Sequence, residues 1–187
     1  MRDLSGAQAI ILCEDTAHYS FARGYLSTLG VARFVPDISP KGRGAGSAWV
    51  TERFAANLKA FRASSRYQNS ILVAVIDGDG KSPAERRATL ETSTSMQQLG
   101  QSPRGPGERA LIIVPQWQIE TWFEFVVAGS CEEKREDGRK YEHRYRKGAK
   151  PTRWGGELAE RCRKASGSEL EAWPSSLQDA CKEIGRL

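Results

Sequence analysis

The stretch Ile71-Leu72-Val73-Ala74-Val75-Ile76 runs directly into Asp77-Gly78-Asp79-Gly80. Six consecutive apolar residues, mostly β-branched or leucine, describe a strand buried on both faces. Such a strand belongs inside a parallel sheet with helices on either side. Two carboxylates then stand at i and i+2, where the strand gives way to a glycine-rich turn. Alternate residues of an extended chain point the same way, so Asp77 and Asp79 are expected to converge. The C-terminal ends of parallel strands are where open α/β sheets hold ligands. Two aspartates held this close repel each other unless a cation lies between them, and a hard divalent ion such as Mg²⁺ suits them.

The same alternation of strand and helix recurs on both sides of this stretch. Ala9 to Cys13 reads as a short buried strand with Glu14 and Asp15 at its end. A helix then runs to about Leu29, with Phe21, Ala22, Tyr25 and Leu26 on one face and Gly30 as its stop. Val31 to Ile38 is a second strand, and Pro36 suits an edge position. A helix over 48–63 leads back to the third strand. Ser82-Pro83-Ala84-Glu85 is a helix start, with Ser as N-cap, Pro at the first position and Glu at the third; that helix is expected to reach Leu99. Ala110 to Val114 is a fourth strand, and Ile119 to Val127 a helix closed by Gly129. Two short amphipathic helices, near 156–165 and 175–184, complete the chain. This order predicts an α/β fold with a mostly parallel four-stranded sheet flanked by helices. Residues 1–129 form the expected catalytic core, and residues 130–187 a basic loop and a helical C-terminal extension packing on it.

Composition narrows the function classes. The chain has 187 residues, enough for one domain with a real core. No apolar run approaches the ~20 residues of a membrane span, and the N-terminus has no apolar signal-peptide core. Cys13, Cys131, Cys162 and Cys181 show no CxxC spacing, and there are only two histidines, which speaks against a structural zinc site. Scattered cysteines without a signal peptide fit a reducing cytoplasm. The net charge is +5, and residues 131–153 hold nine Lys/Arg against five Asp/Glu. A basic surface around an acidic pocket suits a phosphate-rich polymer, DNA or RNA.

Three acidic clusters fall at corresponding places. Glu14 and Asp15 follow the first strand, Asp77 and Asp79 the third, and Glu120 comes just past the fourth. In a parallel sheet these strand ends share one edge. Glu14 after a first strand and Asp77-Gly78-Asp79 after a third resemble the TOPRIM domain of topoisomerases, primases and overcoming-lysogenization-defect nucleases. The resemblance covers residues 8–128 and rests on order, spacing and strand context. It implies a TOPRIM-like (Rossmann-like) fold, Glu14 as metal ligand or general acid/base, and Asp77 and Asp79 as ligands of Mg²⁺ or Mn²⁺. Ile119-Glu120-Thr121-Trp122 is similar to an element of small stand-alone bacterial TOPRIM-like proteins, several linked to phage defence, and that likeness makes Glu120 a further metal-site carboxylate. No ATPase, topoisomerase or primase partner domain accompanies the motifs, so strand cleavage by metal-activated water is the activity the resemblance implies.

Further residues have a functional and a plain reading. Asp15 is a metal ligand or a helix N-cap. His18 is a phosphate contact or a half-buried surface histidine. Lys41 and Arg43, in the loop Lys41-Gly42-Arg43-Gly44-Ala45-Gly46-Ser47, touch phosphate or simply solvate a turn. Lys81 steadies charge on a phosphate or faces solvent. Trp117 stacks on a base or packs. Arg144, Arg146 and Lys147, interleaved with Tyr141, Tyr145 and Trp154, form a candidate nucleic-acid surface. The leading expectation is a Mg²⁺-dependent nuclease of a bacterial anti-phage defence system, with nucleic acid and a defence-system protein as partners and no membrane. A non-catalytic interaction subunit with a vestigial metal site is the alternative. A DxD-type nucleotidyl or glycosyl transferase is the third reading.

Overall fold

The computed structural model describes residues 4–40, 46–64, 69–133 and 150–187. Four strands, β1 (Gln8–Cys13), β2 (Arg33–Ile38), β3 (Ser70–Val75) and β4 (Ala110–Ile113), form one sheet in the order β2-β1-β3-β4. Every neighbouring pair is parallel, with Cys13 opposite Val75 and Ala74 opposite Ile112. This is the α/β, Rossmann-like architecture expected from the alternation of strands and helices. Successive connections leave β1 in opposite directions, so the strand order reverses between β1 and β3.

The helices are α1 (Thr16–Thr28), α2 (Gly46–Ala63), α3 (Pro83–Glu91), α4 (Thr94–Gln98), α5 (Ile119–Ala128), α6 (Pro151–Lys164), α7 (Gly167–Glu171) and α8 (Ser175–Glu183). Side-chain alternation along the strands sorts them into two layers. Ile11, Val73 and Ile113 point to the face covered by α1, α5, α6 and α8, where Phe21, Tyr25, Trp122, Leu158 and Leu177 are buried. Leu12, Leu72, Ala74 and Ile112 point to the face covered by α2, α3 and α4 through Phe54, Leu58, Leu90 and Met96. Both faces are therefore dry, which explains the unbroken apolar run of β3. The helices α1 and α6 approach at backbone distance. A Cβ on Gly24 would lie 1.8 Å from the Thr152 carbonyl oxygen, and one on Gly155 2.0 Å from that of Phe21. The C-terminal helices thus help build the core of the α1 face.

Several local readings differ in detail. The helix expected from Ser82 to Leu99 is broken at residues 92 and 93, because the Ser93 hydroxyl caps a new helix by accepting from the Met96 N–H. The short helix α7 was not foreseen; the Ser166/Glu169 capping box starts it. Cys162 and Cys181, on α6 and α8, are joined as a disulfide that their scattered spacing did not signal, while Cys13 and Cys131 are free thiols. Among the described residues no helix is long and apolar enough to cross a membrane.

The two sheet edges are closed differently. Pro36 stands in β2, which is an edge strand as its proline suggested. On β4, the outward peptide groups are taken by side chains. The Glu183 carboxylate accepts from the Ile112 N–H at 3.0 Å, and Arg104 donates to the Ala110 carbonyl at 2.7 Å and to Glu183 at 2.8 Å. Burial opposes the Glu183 charge, but the Arg104 guanidinium and the Ile112 N–H hold its carboxyl below the ordinary 4.5. A depressed carboxyl stabilises the fold above its unfolded value and loses that contribution as the pH falls through its folded value. Replacing Glu183 by Gln removes one of the two carboxylates that face the buried Arg104, Glu91 being the other, and is expected to cost about 2 kcal/mol at neutral pH in urea unfolding. The gap from wild type should be widest above pH 4.5 and shrink as the pH falls below it.

Candidate active site

The crevice where the strand order reverses is the place an open α/β sheet offers a ligand. Glu14 leaves β1 on one side of it, and Asp77 follows β3 on the other. The Glu14 carboxylate reaches across and accepts from the Asp77 backbone N–H at 2.8 Å. The turn after β3 is laced to the segment after β4: the N–H groups of Gly78, Asp79 and Gly80 donate to the carbonyls of Pro115, Trp117 and Gln116. This lacing forces an unusual backbone. Asp79 has φ 51° and Gly80 φ 90°, both left-handed. A Cβ on Gly78 would lie 2.3 Å from the Gln116 carbonyl oxygen, so only glycine fits there. A non-glycine residue held at positive φ beside a ligand crevice is strain of the kind found at functional sites.

The carboxylates expected to share one edge do share it. Glu14 and Asp77 are in direct contact, and Asp77 interacts electrostatically with Asp79 and Glu120. Glu120 stands in the first turn of α5 and is 9% exposed. Burial and the neighbouring Asp77 charge push the Glu14 carboxyl up to about 7. Burial likewise pushes Asp77 up, helped by Glu120 and Asp79 and opposed by His18.

Two cationic side chains answer this charge. His18 is 2% exposed, not the half-buried surface residue of the plain reading. Burial disfavours its charge, while Asp77 and Asp15, one at each ring nitrogen, favour it and raise its pKa well above 6.5. Nε2–H donates to Asp77 Oδ1 at 2.9 Å and Nδ1–H to Asp15 Oδ1 at 2.8 Å. Asp15 is also the N-cap of α1, accepting from the N–H groups of Ala17 and His18. Arg86, on α3, donates from Nε to the Asp77 carbonyl at 2.8 Å and from Nη2 to Asp79 Oδ2 at 3.1 Å. Residue type does not separate Arg86 from its neighbour Arg87, which turns instead to Asp179 on α8. Helical phase is the one signal that could have found it: Arg86 is four residues past the N-cap Ser82 and seven past Asp79.

Oxygen donors of the kind Mg²⁺ takes are therefore gathered at one edge, each held by a protein group: Asp77 Oδ1 by His18, Asp79 Oδ2 by Arg86, Glu14 Oε1 by a peptide N–H. Among the described residues no three His, Cys, Asp or Glu side chains stand close enough together to hold a metal ion. The donor chemistry fits a hard cation. Cys13, at the same edge, offers no nucleophile, since burial pushes its thiol up to about 12.

The remaining candidates are dispersed. Lys81 is exposed in the turn after Gly80. Trp117 packs its ring over Gly80, and Trp154 stacks near Phe123 with centroids 4.9 Å apart. Lys41, Arg43, Tyr141, Arg144, Tyr145, Arg146 and Lys147 lie outside the described residues. A cavity of about 900 Å³ lined by α5, α6 and the segment before α8 carries none of the four carboxylates and meets their turn only at Gln116. No family model matches the chain, and neither a curated protein nor a solved structure is significantly similar to it.

One further feature marks this region. Among the described residues Trp117 Nε1, Gln118 Oε1, Thr121 Oγ1 and Glu124 Oε2 are buried without a hydrogen-bond partner, and all four lie along 117–124. A buried orphan polar group costs ~1–3 kcal/mol. The chain entering α5 therefore carries a stability penalty beside Glu120. Thr121 is fully buried, so Thr121→Val, of the same shape without the hydroxyl, is expected to stabilise the fold by about 1 kcal/mol in thermal or urea unfolding.

Proposed function

We propose that this chain is a divalent-metal-dependent nuclease that hydrolyses phosphodiester bonds at the β1/β3 crevice. The observation that carries the reading is the contact of Glu14 with Asp77 across that crevice, with Asp79 and Glu120 within electrostatic range of Asp77. Mutual repulsion in so acidic a cluster is relieved by a cation or by binding close to one. Glu14, Asp77 and Asp79 would hold Mg²⁺ or Mn²⁺, with Glu120 as a further carboxylate. Because among the described residues no three such side chains stand close enough together, binding would require these to draw together. Such an ion, when bound, supplies Lewis acidity toward the attacked phosphate and the attacking water. The chain's own residues do the positioning. His18 fixes the rotamer of Asp77, and Arg86 orients Asp79 while offering a fixed positive charge next to the reacting group. The likeness of Glu14, Asp77-Gly78-Asp79 and Glu120 to the TOPRIM motifs supports the same activity. It also suggests a bacterial setting, as effector of an anti-phage defence system with a protein partner, although the Cys162–Cys181 disulfide runs against the reducing cytoplasm that the cysteine pattern suggested.

A second reading has its own support. His18 and Arg86 already neutralise Asp77 and Asp79, as they would in a non-catalytic interaction subunit that needs no metal. Incubation of the purified chain with end-labelled DNA and RNA in Mg²⁺, Mn²⁺ or EDTA separates the two. The nuclease reading expects cleavage in a divalent ion and none in EDTA. Asp79→Asn, at a side chain 38% exposed, should lower cleavage by roughly 100-fold with its melting curve little changed. Unaltered cleavage by a folded Asp77→Asn/Asp79→Asn variant would exclude these residues as the centre. Absence of both cleavage and metal-dependent thermal stabilisation would favour the interaction subunit.

A further inference from the structure

On the α2 side of the sheet, a trough of about 760 Å³ runs between α2 and the α3–α4 pair. Its walls are rich in hydrogen-bonding groups: the hydroxyls of Ser47, Thr51, Thr94 and Ser95, and the Arg86 side chain. Among the described residues the hydroxyls of Ser47, Thr94 and Ser95 have no protein partner, while Thr51 donates to the Ser47 carbonyl. Among the described residues Glu52 is the only carboxylate in the lining.

Both walls start at the carboxylate crevice. Arg86 lines the trough and is 7% exposed, with its guanidinium on Asp77 and Asp79. On the opposite wall, Gly46 precedes Ser47 and lies against Glu14; a Cβ there would be 3.0 Å from Glu14 Oε2. A chain reacting at the carboxylates would continue into this trough past Arg86. Phosphodiester oxygens only accept hydrogen bonds, and hydroxyls with a fixed guanidinium are the donors that suit them. A volume of this order is that of a small-ligand cleft. One phosphodiester backbone fills a trough of this volume, so the occupant that suits it is a single strand.

We propose that the trough between α2 and α3–α4 binds the phosphodiester backbone of a single nucleic-acid strand, immediately beside the bond at the carboxylates. The identity of the bound chain rests on the nuclease reading. Hydroxyl contacts to the backbone carry no base information, so binding is sequence-tolerant. Glu52 opposes the strand's charge, and this makes the proposal directional.

The test is fluorescence anisotropy of labelled single-stranded and duplex oligonucleotides on the full chain in EDTA, where nothing is cleaved. Glu52→Gln is expected to tighten single-strand binding about threefold. Thr94→Glu, exposed at the start of α4 where an acid suits the helix, should weaken it about tenfold. Both shifts should diminish at high salt, with melting curves unchanged. Wild-type affinity in both variants, no single-strand binding by the wild type, or the same shifts on duplex would each overturn the trough. Charge-sensitive single-strand binding by a protein that never cleaves in Mg²⁺ or Mn²⁺ would keep the trough and overturn the nuclease reading.

Discussion

Asp77 is held at every polar group it has. Its N–H goes to Glu14, its carbonyl accepts from Arg86, and its carboxylate accepts from His18. These partners come from the end of β1, from α1 and from α3, so one residue ties together both layers of helices and both sides of the crevice. The arrangement concentrates negative charge where the sheet's strand order reverses and balances it with an imidazolium and a guanidinium. A low-dielectric edge makes each of these interactions strong and each loss costly. The left-handed Asp79 and the glycine-only position at Gly78 follow from the same demand, since the turn must fold back under Pro115–Trp117 to bring Asp79 within reach of Arg86.

What the sequence disclosed of this centre is the part written in local pattern. Ile71–Ile76 declares a strand buried on both faces, and acids placed directly after buried strands belong to one sheet edge once the strands are parallel. The Ser82-Pro83-Ala84-Glu85 start is equally local, and the capping box is present. The cations were not legible because their meaning lies in pairs far apart along the chain. His18 and Asp77 are 59 residues apart; helical phase puts His18 on the buried face of Phe21, Ala22 and Tyr25, but no local pattern names Asp77 as its partner. Arg86 and Arg87 look alike in sequence but serve opposite ends of the molecule. The break between α3 and α4 turned on one serine hydroxyl competing with helix continuation, a contest that apolar periodicity does not register.

The region after residue 129 read as an extension, because its composition is polar and its helices are short. Leu158, Ala159, Leu177, Ala180 and Leu187 are nevertheless core residues. Ion pairs and hydrogen bonds then hold α8 in place: Arg87 with Asp179, Arg104 with Glu183, and the Trp122 indole with Ser176. These bonds connect the layer behind the crevice to the edge of the sheet.

The backbone contact of α1 with α6 has a consequence for how the chain is made. Every buried residue of the α2 face lies at or before Val114, so that half of the structure can consolidate while later residues are still being synthesised. The α1 face cannot. Phe21, Tyr25 and their neighbours wait for Gly155, Leu158 and Leu177, more than 120 residues downstream. The nascent chain therefore carries an uncovered apolar surface next to its acidic crevice until α6 and α8 have been made. Chaperone contact should concentrate on α1 in that interval.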